Sequence, residues 1–234
     1  MKQGRVMLTF DDGIANHWQA ALDLTERKLR GVFGVVTNRL GEPGFLDRSH
    51  LTAMRQLGHL IVGHSANHLE LGRVPPDAVT ADVTAGRDKL TEMGFLGRYL
   101  TMPFGTPNVH GPDHLATLWR EFDWIRLSFG VALGNNWLGS DVHPLWPSGY
   151  RGKVIGVTAA ADVRWPGRVE SRVEEACVTG SLCVLMYHDI CHVVGEMMNI
   201  TRREFLHEVD YIAHCVRDGR LECVTPVDLM EGTA

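Results

Sequence analysis

The sequence predicts an α/β protein whose chain forms a distorted (β/α) barrel of about seven parallel strands. One observation is that short runs rich in β-branched and aromatic residues alternate with longer stretches of helical spacing, as in parallel βα units. Another is their number, since seven or eight strands interleaved with helices suit a barrel better than an open sheet. The chain also lacks repeats and low-complexity linkers, so residues 1–234 are expected to form a single domain.

The predicted elements follow the order of the apolar runs and the helical patterns. Strands are predicted at residues 6–10, 32–36, 60–62, 99–102, 124–127, 153–157, 182–187 and 221–224. Helices are predicted at residues 16–29, 47–57, 76–93, 112–121, 169–179 and 201–218. In the last helix, Phe205, Val209 and Ile212 share one face, as expected for a helix packed against a core.

The composition argues against several classes of function. With 28 acidic and 23 basic residues, the chain has a formal charge of −5 and no basic footprint for nucleic acid. No apolar run approaches the roughly 18–20 residues that cross a bilayer, so no membrane partner is expected. Met1 leads into the first strand without an export signal, and the five cysteines form no CxxC pair. These features predict a cytoplasmic protein. They do not show whether it is a monomer or an oligomer.

Two adjacent carboxylates, Asp11 and Asp12, end the apolar run in LTFDDG. Adjacent like charges repel, and strand interiors disfavour Asp. A turn that closes the strand would account for the pair, since Asp-Gly is a common turn signal. A divalent cation would also account for it, because the cation relieves the repulsion while Gly13 allows a tight turn without a Cβ clash.

Two histidines four residues apart, His64 and His68, follow a predicted strand in GHLIVGHSANH. On a helical turn this spacing brings both imidazoles to one side, where they can share a cation. With 12 histidines in the chain, the spacing could also be coincidence. An HExxH metalloprotease has Glu after the first His, but Ser65 stands here, so any base must come from elsewhere. Parallel strands would bring the Asp11–Asp12 pair to the same rim, where one carboxylate is a third ligand and the other accepts a proton from water.

Two further groups of residues are candidates for the same rim. His188 closes the apolar strand in LMYHDI, although a single His there is more often a capping or packing residue. Asp162 and Trp165 lie in ADVRWPG and depend equally on their surroundings. Trp137 and Trp146 lie in a long loop-like segment and could line a sugar site or simply pack over the barrel edge.

Taken together, these motifs resemble the polysaccharide deacetylases of the NodB-homology group of carbohydrate esterases. LTFDDG is similar to the family's TFDDG, and HSANH to its HSxxH or HTxxH. MPFG resembles the PPYG or PFG motif, ADVRWPG loosely resembles an Asp-Trp motif, and LMYHDI resembles Leu-x-x-His. The five motifs occur in the family's order between residues 8 and 190.

The resemblance implies a fold of the NodB-homology type and hydrolysis of an N-acetyl or other small N-acyl group on an amino sugar, an oligosaccharide or a glycosylated metabolite. The metal would usually be zinc, with cobalt, nickel or manganese tolerated. The implied roles are general base for Asp11, metal ligands for Asp12, His64 and His68, and general acid for His188, oriented by Asp162. Pro103, Phe104 and Trp165 would contact substrate, with the Phe104 backbone N–H in an oxyanion hole.

One departure concerns an arginine that pairs with the base in the family. Thr101 stands at that position and cannot supply a positive charge. Arg98 and Arg164 are the candidates to replace the arginine. The missing export signal is a second departure, and it favours a small or soluble amino-sugar substrate while leaving a polymer open.

Three other functions remain open at this stage. The same fold could act on a cyclic ureide or imide, or remove a formyl group, because the reacting amide is chemically similar. A serine hydrolase is suggested by GHSAN, where Ser65 would be the nucleophile but Asn67 replaces the second glycine of GxSxG. A catalytically inactive binding protein is suggested only by the absent arginine.

Overall fold

The structure is a computed structural model that describes residues 3–69, 74–104, 118, 120–127, 154–156, 159–160, 168–191 and 199–231. Its strands are β1 (Gly4–Phe10), β2 (Gly31–Val35), β3 (Leu60–Gly63), β4 (Leu96–Thr101), β5 (Trp124–Leu127), β6 (Val154–Gly156), β7 (Ala159–Ala160), β8 (Leu182–Tyr187), β9 (Asp189–Cys191), β10 (Asn199–Thr201) and β11 (Leu221–Cys223). Its helices are α1 (His17–Glu26), α2 (Arg48–Gln56), α3 (Pro76–Glu92), α4 (Arg168–Thr179), α5 (Arg202–Arg217) and α6 (Pro226–Glu231), and Thr37–Arg39 form a 3₁₀ turn.

The predicted α/β barrel class is confirmed by a curved, parallel nine-stranded sheet. The strand order is β6-β5-β4-β3-β2-β1-β8-β7, and β11 pairs with β1. Every strand pairing recorded in this sheet is parallel. The carboxyl ends of neighbouring strands therefore meet at one rim, which is where parallel α/β proteins carry their sites.

β1 lies at the centre of the sheet. One edge pairs with β8 over six residues, from Arg5 opposite Leu182 to Phe10 opposite Tyr187. The other edge pairs first with β11 and then with β2. Because β1 has neighbours on both sides and helices above and below, its sequence is almost continuously apolar and buried.

A cluster of aromatic rings fills the core directly beneath the rim. Phe10 stacks on Phe33 and on Tyr187, with ring centroids 4.5 and 5.1 Å apart. Phe205 of α5 meets Phe10 edge-on at 5.9 Å. These contacts join three adjacent strands to a helix, and each such aromatic pair contributes about 0.5–1.5 kcal/mol beyond the area it buries.

Two helices begin with reciprocal capping interactions. The Asp47 carboxylate accepts from the backbone N–H of His50, and the Thr201 hydroxyl accepts from that of Glu204. In each case the side chain of the residue three positions later accepts a hydrogen bond from the backbone N–H of the capping residue. Caps of this kind fix where α2 and α5 start.

The eight predicted strands overlap observed strands, while some short elements were not predicted. β7, β9 and β10 have two or three residues each, too few to show an alternating pattern. The six-residue helix α6 was also missed. The predicted helix at 112–121 lies mostly outside the described residues, with 118, 120 and 121 helical. None of the helices in the described ranges has the length and apolar character that a bilayer crossing requires.

His59 is a buried polar group that joins three elements below the rim. Its Nδ1 accepts from the backbone N–H of Gly31 at 3.0 Å, and its Nε2 lies 2.9 Å from the carbonyl oxygen of Ala21. The Nε2–H therefore donates to Ala21, and the neutral ring satisfies both neighbours. Burial lowers the pKa of His59 to about 4.

This burial predicts that His59 makes folding dependent on pH. Between its unfolded pKa of 6.5 and about 4, the unfolded chain binds a proton at His59 that the folded chain does not. The stabilisation is complete above pH 6.5 and is lost as the pH falls, by about 3 kcal/mol in total. Urea unfolding should therefore show the stability gap between wild type and His59→Gln narrowing from pH 7 to pH 4. A gap that stays constant over this range would contradict the prediction.

Candidate metal centre and active site

The predicted site motifs meet at the rim formed by the ends of β1, β3 and β8. The backbone N–H of Asp11 donates to the carbonyl oxygen of Tyr187 at 2.9 Å, which extends the β1–β8 ladder by one residue. The N–H of His64 donates to the carbonyl oxygen of Val35, also at 2.9 Å, and extends the β2–β3 ladder. Asp11, Asp12, His64 and His188 therefore each stand at or just beyond the last residue of a strand, as the sequence predicted.

Asp12, His64 and His68 form a compact group of potential ligands. Asp12 Oδ1 lies 3.3 Å from Nε2 of His64 and 3.0 Å from Nε2 of His68. The ligand atoms of all three residues lie within 4.8 Å of one another. The His64 side chain is buried, whereas those of Asp12 and His68 are about a quarter exposed, at 26% and 21%. The group is thus anchored on one side and open on the other.

The tautomer of His64 is set by its outer neighbour. Nδ1 lies 2.8 Å from the carbonyl oxygen of Thr101, an acceptor, so Nδ1 carries the proton and donates it. The hydroxyl of Thr101 is a second neighbour at 2.9 Å. Nε2 then presents a lone pair toward Asp12. Metal-binding histidines in proteins are oriented by such hydrogen bonds at the other ring nitrogen.

The donor atoms fit a divalent cation. Asp12 Oδ1 is buried and has no hydrogen-bond partner among the described residues. It faces the lone pair of His64 Nε2, so two acceptors point at each other with no proton between them. A cation held by one carboxylate and two imidazoles relieves this conflict, and two His with one carboxylate is a ligand set that leaves a zinc position for water or substrate.

Strained backbone conformations concentrate around these ligands. Asp12, Ser65, His68 and Phe104 have φ values of 79°, 64°, 58° and 48°, and the one other non-glycine residue with positive φ in the described ranges is Lys28. A left-handed conformation costs about 1–3 kcal/mol at such residues and persists where the surroundings enforce it. Such conformations cluster at active sites and ligand clamps, so their concentration at the rim makes it the candidate site of this protein.

The turn that carries His64 and His68 is enforced by α3 and by its own serine. Asp82 of α3 accepts on Oδ1 from the backbone N–H of Asn67 at 2.9 Å and from its side-chain amide at 2.7 Å. Ser65 Oγ accepts from the backbone N–H of His68 at 2.9 Å and is buried. Ser65 thus shapes the turn that carries His64 and His68, and this placement argues against a serine nucleophile.

Asp11 is paired with an arginine that the sequence did not single out. Nη2 of Arg126 donates to Asp11 Oδ1, and both side chains are buried. Of the two suggested replacements for the family's arginine, Arg98 instead binds Asp123 at the surface. The other, Arg164, lies outside the described residues. The available signal was an arginine within the four-residue apolar strand WIRL, since a charge buried in a strand needs a partner.

The register of the sheet explains how Arg126 reaches Asp11. Thr101 of β4 and Arg126 of β5 are direct partners across the two strands. Arg126 therefore stands beside position 101, on the neighbouring strand, and supplies the positive charge that Thr101 lacks. The short Thr101 side chain instead reaches His64.

The two oxygens of Asp11 have different neighbours. Oδ1 binds Arg126, while Oδ2 lies 4.0 Å from Nε2 of His188. Burial alone would raise the pKa of Asp11, but the charges of Arg126, His64 and His188 outweigh it and hold that pKa below its usual range. The carboxylate is therefore ionised at neutral pH and faces an imidazole across a short gap.

The remaining predicted site residues divide into two groups. Pro103 is buried and has no N–H, whereas Phe104 is half exposed and its ring lies 4.6 Å from that of His68. Phe104 is thus at the open side of the candidate metal centre. The other predicted residues, Asp162 and Trp165, together with Trp137 and Trp146, lie outside the described residues.

A second group of potential ligands occurs between α4 and α5. Donor atoms of Glu174, Cys177 and Cys215 lie within 4.8 Å of one another. Here the guanidinium of Arg220 donates to Glu174 Oε2 at 2.9 Å and to Cys215 Sγ at 3.0 Å. A positive charge already satisfies this cluster, which distinguishes it from the rim site.

Residues 1–116 match the sequence model of the family described as polysaccharide deacetylase. The chain belongs to the polysaccharide deacetylase family. The matched segment contains Asp11, Asp12, His64, His68 and Phe104, and the fold continues beyond it to His188. No curated protein sequence matches this chain.

Solved structures of deacetylases and esterases share the fold. A structure described as T48 deacetylase with substrate is 18% identical, with a TM-score of 0.59 and coverage of 98% of this chain and 92% of the other. Peptidoglycan deacetylase PdaC from Bacillus subtilis is 16% identical, with a TM-score of 0.59 and coverage of 98% and 91%. A family 4 acetyl xylan esterase from Clostridium thermocellum, in complex with a cobalt ion, is 20% identical, with a TM-score of 0.55 and coverage of 97% and 90%.

Metal binding at the rim can be tested directly in this deacetylase-family chain. We expect the purified protein, stripped with chelator, to bind one zinc ion per chain in calorimetric titration. Asp12→Ala and His64→Ala should each weaken binding by more than about 100-fold, since losing even an outer-shell partner of a ligand costs 10–100-fold. Cys177→Ser, in the second cluster, is the matched control and should bind normally. Binding retained in Asp12→Ala but lost in Cys177→Ser would contradict the assignment.

Proposed function

We propose that the protein is a metal-dependent deacetylase that hydrolyses the acyl–nitrogen bond of an N-acetylated amino sugar, in an oligosaccharide, a polymer or a glycosylated metabolite. The observation that carries the proposal is the arrangement of the rim, where Asp11 and His188 face each other beside the Asp12–His64–His68 group. An ionised carboxylate and an imidazole on either side of a reacting bond are suited to take up and release one proton each.

Asp12, His64 and His68 would hold the cation, and the proposed metal is zinc because of the ligand types. A bound divalent cation supplies Lewis acidity, which polarises the acyl oxygen and acidifies the attacking water. The neighbouring structure solved with cobalt supports a divalent ion in general rather than one element.

Asp11 is the proposed general base. Its carboxylate is held ionised and oriented by Arg126, which binds Oδ1 and leaves Oδ2 toward the open site. Oδ2 accepts the proton of the attacking water as the C–O bond forms. Because Asp11 is buried, little bulk water competes for this oxygen, and the proton transfer stays within the site.

His188 is the proposed general acid. Its imidazole donates a proton to the amino-sugar nitrogen as the acyl–nitrogen bond breaks, so that a neutral amine leaves. The backbone N–H of Phe104 is the proposed donor to the developing oxyanion, and one such donor contributes roughly 3–4 kcal/mol to transition-state stabilisation. The half-exposed Phe104 ring offers an apolar face to substrate at the same place.

The activity can be tested on a panel of acylated compounds. With zinc supplied, we expect release of acetate and a free amine from N-acetylglucosamine oligosaccharides, detected by enzyme-coupled acetate assay and mass spectrometry. Asp11→Asn should lower kcat by about 10²–10⁴-fold, the usual contribution of a general base. Cys177→Ser should be unaffected. Ring opening of a cyclic imide or ureide, or loss of formyl, without acetate release from any sugar would favour the alternative substrate class instead.

Besides its contribution to stability, Arg126 should affect catalysis through Asp11. Arg126→Met fills a similar volume without the charge, and we expect it to lower kcat by about 10–100-fold, since misplacing a catalytic group by about 1 Å can cost 10²-fold. In an Asp11→Asn background, the same substitution should cost little. Arg98→Met, which loses surface bonds to Asp123 and to the Arg120 carbonyl oxygen, is the control. Equal losses from Arg126→Met in both backgrounds would indicate a merely structural role.

A further inference from the structure

The loop that follows β1 holds the backbone of the segment that follows β8. Past Phe10 and Tyr187 the two strands continue for a single bond, from the Asp11 N–H to the Tyr187 carbonyl. Beyond this point, two side chains at the start of α1 replace the ladder. They belong to Asn16, the residue before α1, and His17, its first residue, shortly after the Asp11–Asp12 pair in the chain.

Asn16 and His17 together bind three consecutive residues. His17 Nε2 lies 2.7 Å from the carbonyl oxygen of His188. The Asn16 side-chain amide donates to the carbonyl oxygen of Ile190 at 2.8 Å and to the carboxylate of Asp189. Together with the Asp11–Tyr187 bond, these contacts give each residue from 187 to 190 a hydrogen bond to the segment between Asp11 and His17.

The surroundings of His17 indicate that a histidine is needed here for its hydrogen bond to the His188 carbonyl oxygen rather than for packing. The ring is buried, its centroid is 5.7 Å from that of Phe10 and 6.0 Å from that of Phe33, and these neighbours would suit a phenylalanine. Because Nε2 faces a carbonyl, it carries the proton, and Nδ1 is left buried without a hydrogen-bond partner in the described part of the chain. A buried acceptor of this kind is destabilising, so the imidazole is a poor choice for packing alone.

The helix α1 has other anchors besides these bonds. Asp23 of α1 forms a two-pronged pair with Arg202 at 2.7 and 3.0 Å, and Arg27 binds Asp210 at 2.7 Å. Both pairs tie the end of α1 to α5. The contacts of Asn16 and His17 are therefore available for another purpose, the placement of the His188 backbone.

We propose that Asn16 and His17 form a positioning clamp that sets the imidazole of His188 at its working distance from Asp11. The clamp rests on the proposed function, in which Asp11 takes a proton from water and His188 gives one to the leaving amine. Asp11, Asp12 and the clamp all lie in the eight residues from Phe10 to His17. The proposed base, one proposed metal ligand and the backbone contacts of the proposed acid are therefore placed by the same short segment. Small shifts of α4 or β8 then move His188 and Asp11 together.

The test compares two substitutions of His17 that differ in one donor. His17→Phe fills the aromatic cage without a donor, and His17→Gln keeps an N–H that can reach the His188 carbonyl. We expect His17→Phe to lower kcat by about 10–100-fold with KM and bound zinc within about twofold of wild type, and His17→Gln to recover most of that loss. In a His188→Ala background, His17→Phe should have no further effect. His59→Gln, at another buried histidine, is the control and should leave kcat unchanged.

A second readout does not depend on activity. In metal-free protein, hydrogen exchange of residues 188–191 should be faster in His17→Phe and Asn16→Ala than in wild type, and near wild type in His17→Gln. Unchanged exchange and kcat in His17→Phe would overturn the clamp, as would equal losses with and without His188. An inactive wild type whose exchange responds as described would overturn the proposed function and leave the clamp's geometry standing.

Discussion

The parallel register of β1 against its two neighbours is the constraint on which the site depends. Phe10 lies opposite both Tyr187 and Phe33, and the three rings stack beneath the rim. A shift of one residue would turn every side chain of β1 to the opposite face and take Asp11 away from Arg126 and His188. The aromatic stack makes that shift costly, so packing in the core fixes which carboxylate faces the imidazoles above it.

The buried pair of Asp11 and Arg126 shows how sheet geometry, rather than chain distance, selects partners. Separating the two charges would leave either one buried and unpaired, which is strongly destabilising. Space at the same level is also shared closely: a Cβ on Gly34 would lie 2.2 Å from Thr101 Oγ1. Gly34 on β2 therefore leaves room for the Thr101 side chain on β4. The guanidinium that pairs with Asp11 comes from Arg126 on the neighbouring strand, β5.

The sequence predicted those parts of the site that can be recognised from neighbouring residues in the chain. Asp11, Asp12, His64 and His188 follow apolar runs, and parallel strands bring such positions together whatever the loops do. Arg126 was missed because its partner is 115 positions away and is identified only by the strand register. Asn16 and His17 were missed for another reason: they bind backbone carbonyls, which leave no trace in the residue types of the partner.

The strained residues around the candidate metal centre connect its stability to its function. Asp12, Ser65, His68 and Phe104 lie on three loops, and each left-handed residue opposes folding by about 1–3 kcal/mol. Interactions such as the Asp82–Asn67 bonds offset that strain before any ion binds, so the ligands are already placed. A divalent ion bound to these side chains would add its own binding free energy to the stability of the loops. The supporting hydrogen bonds therefore serve ligand geometry more than overall stability, which is why residues as distant from the chemistry as Asp82 belong to the site.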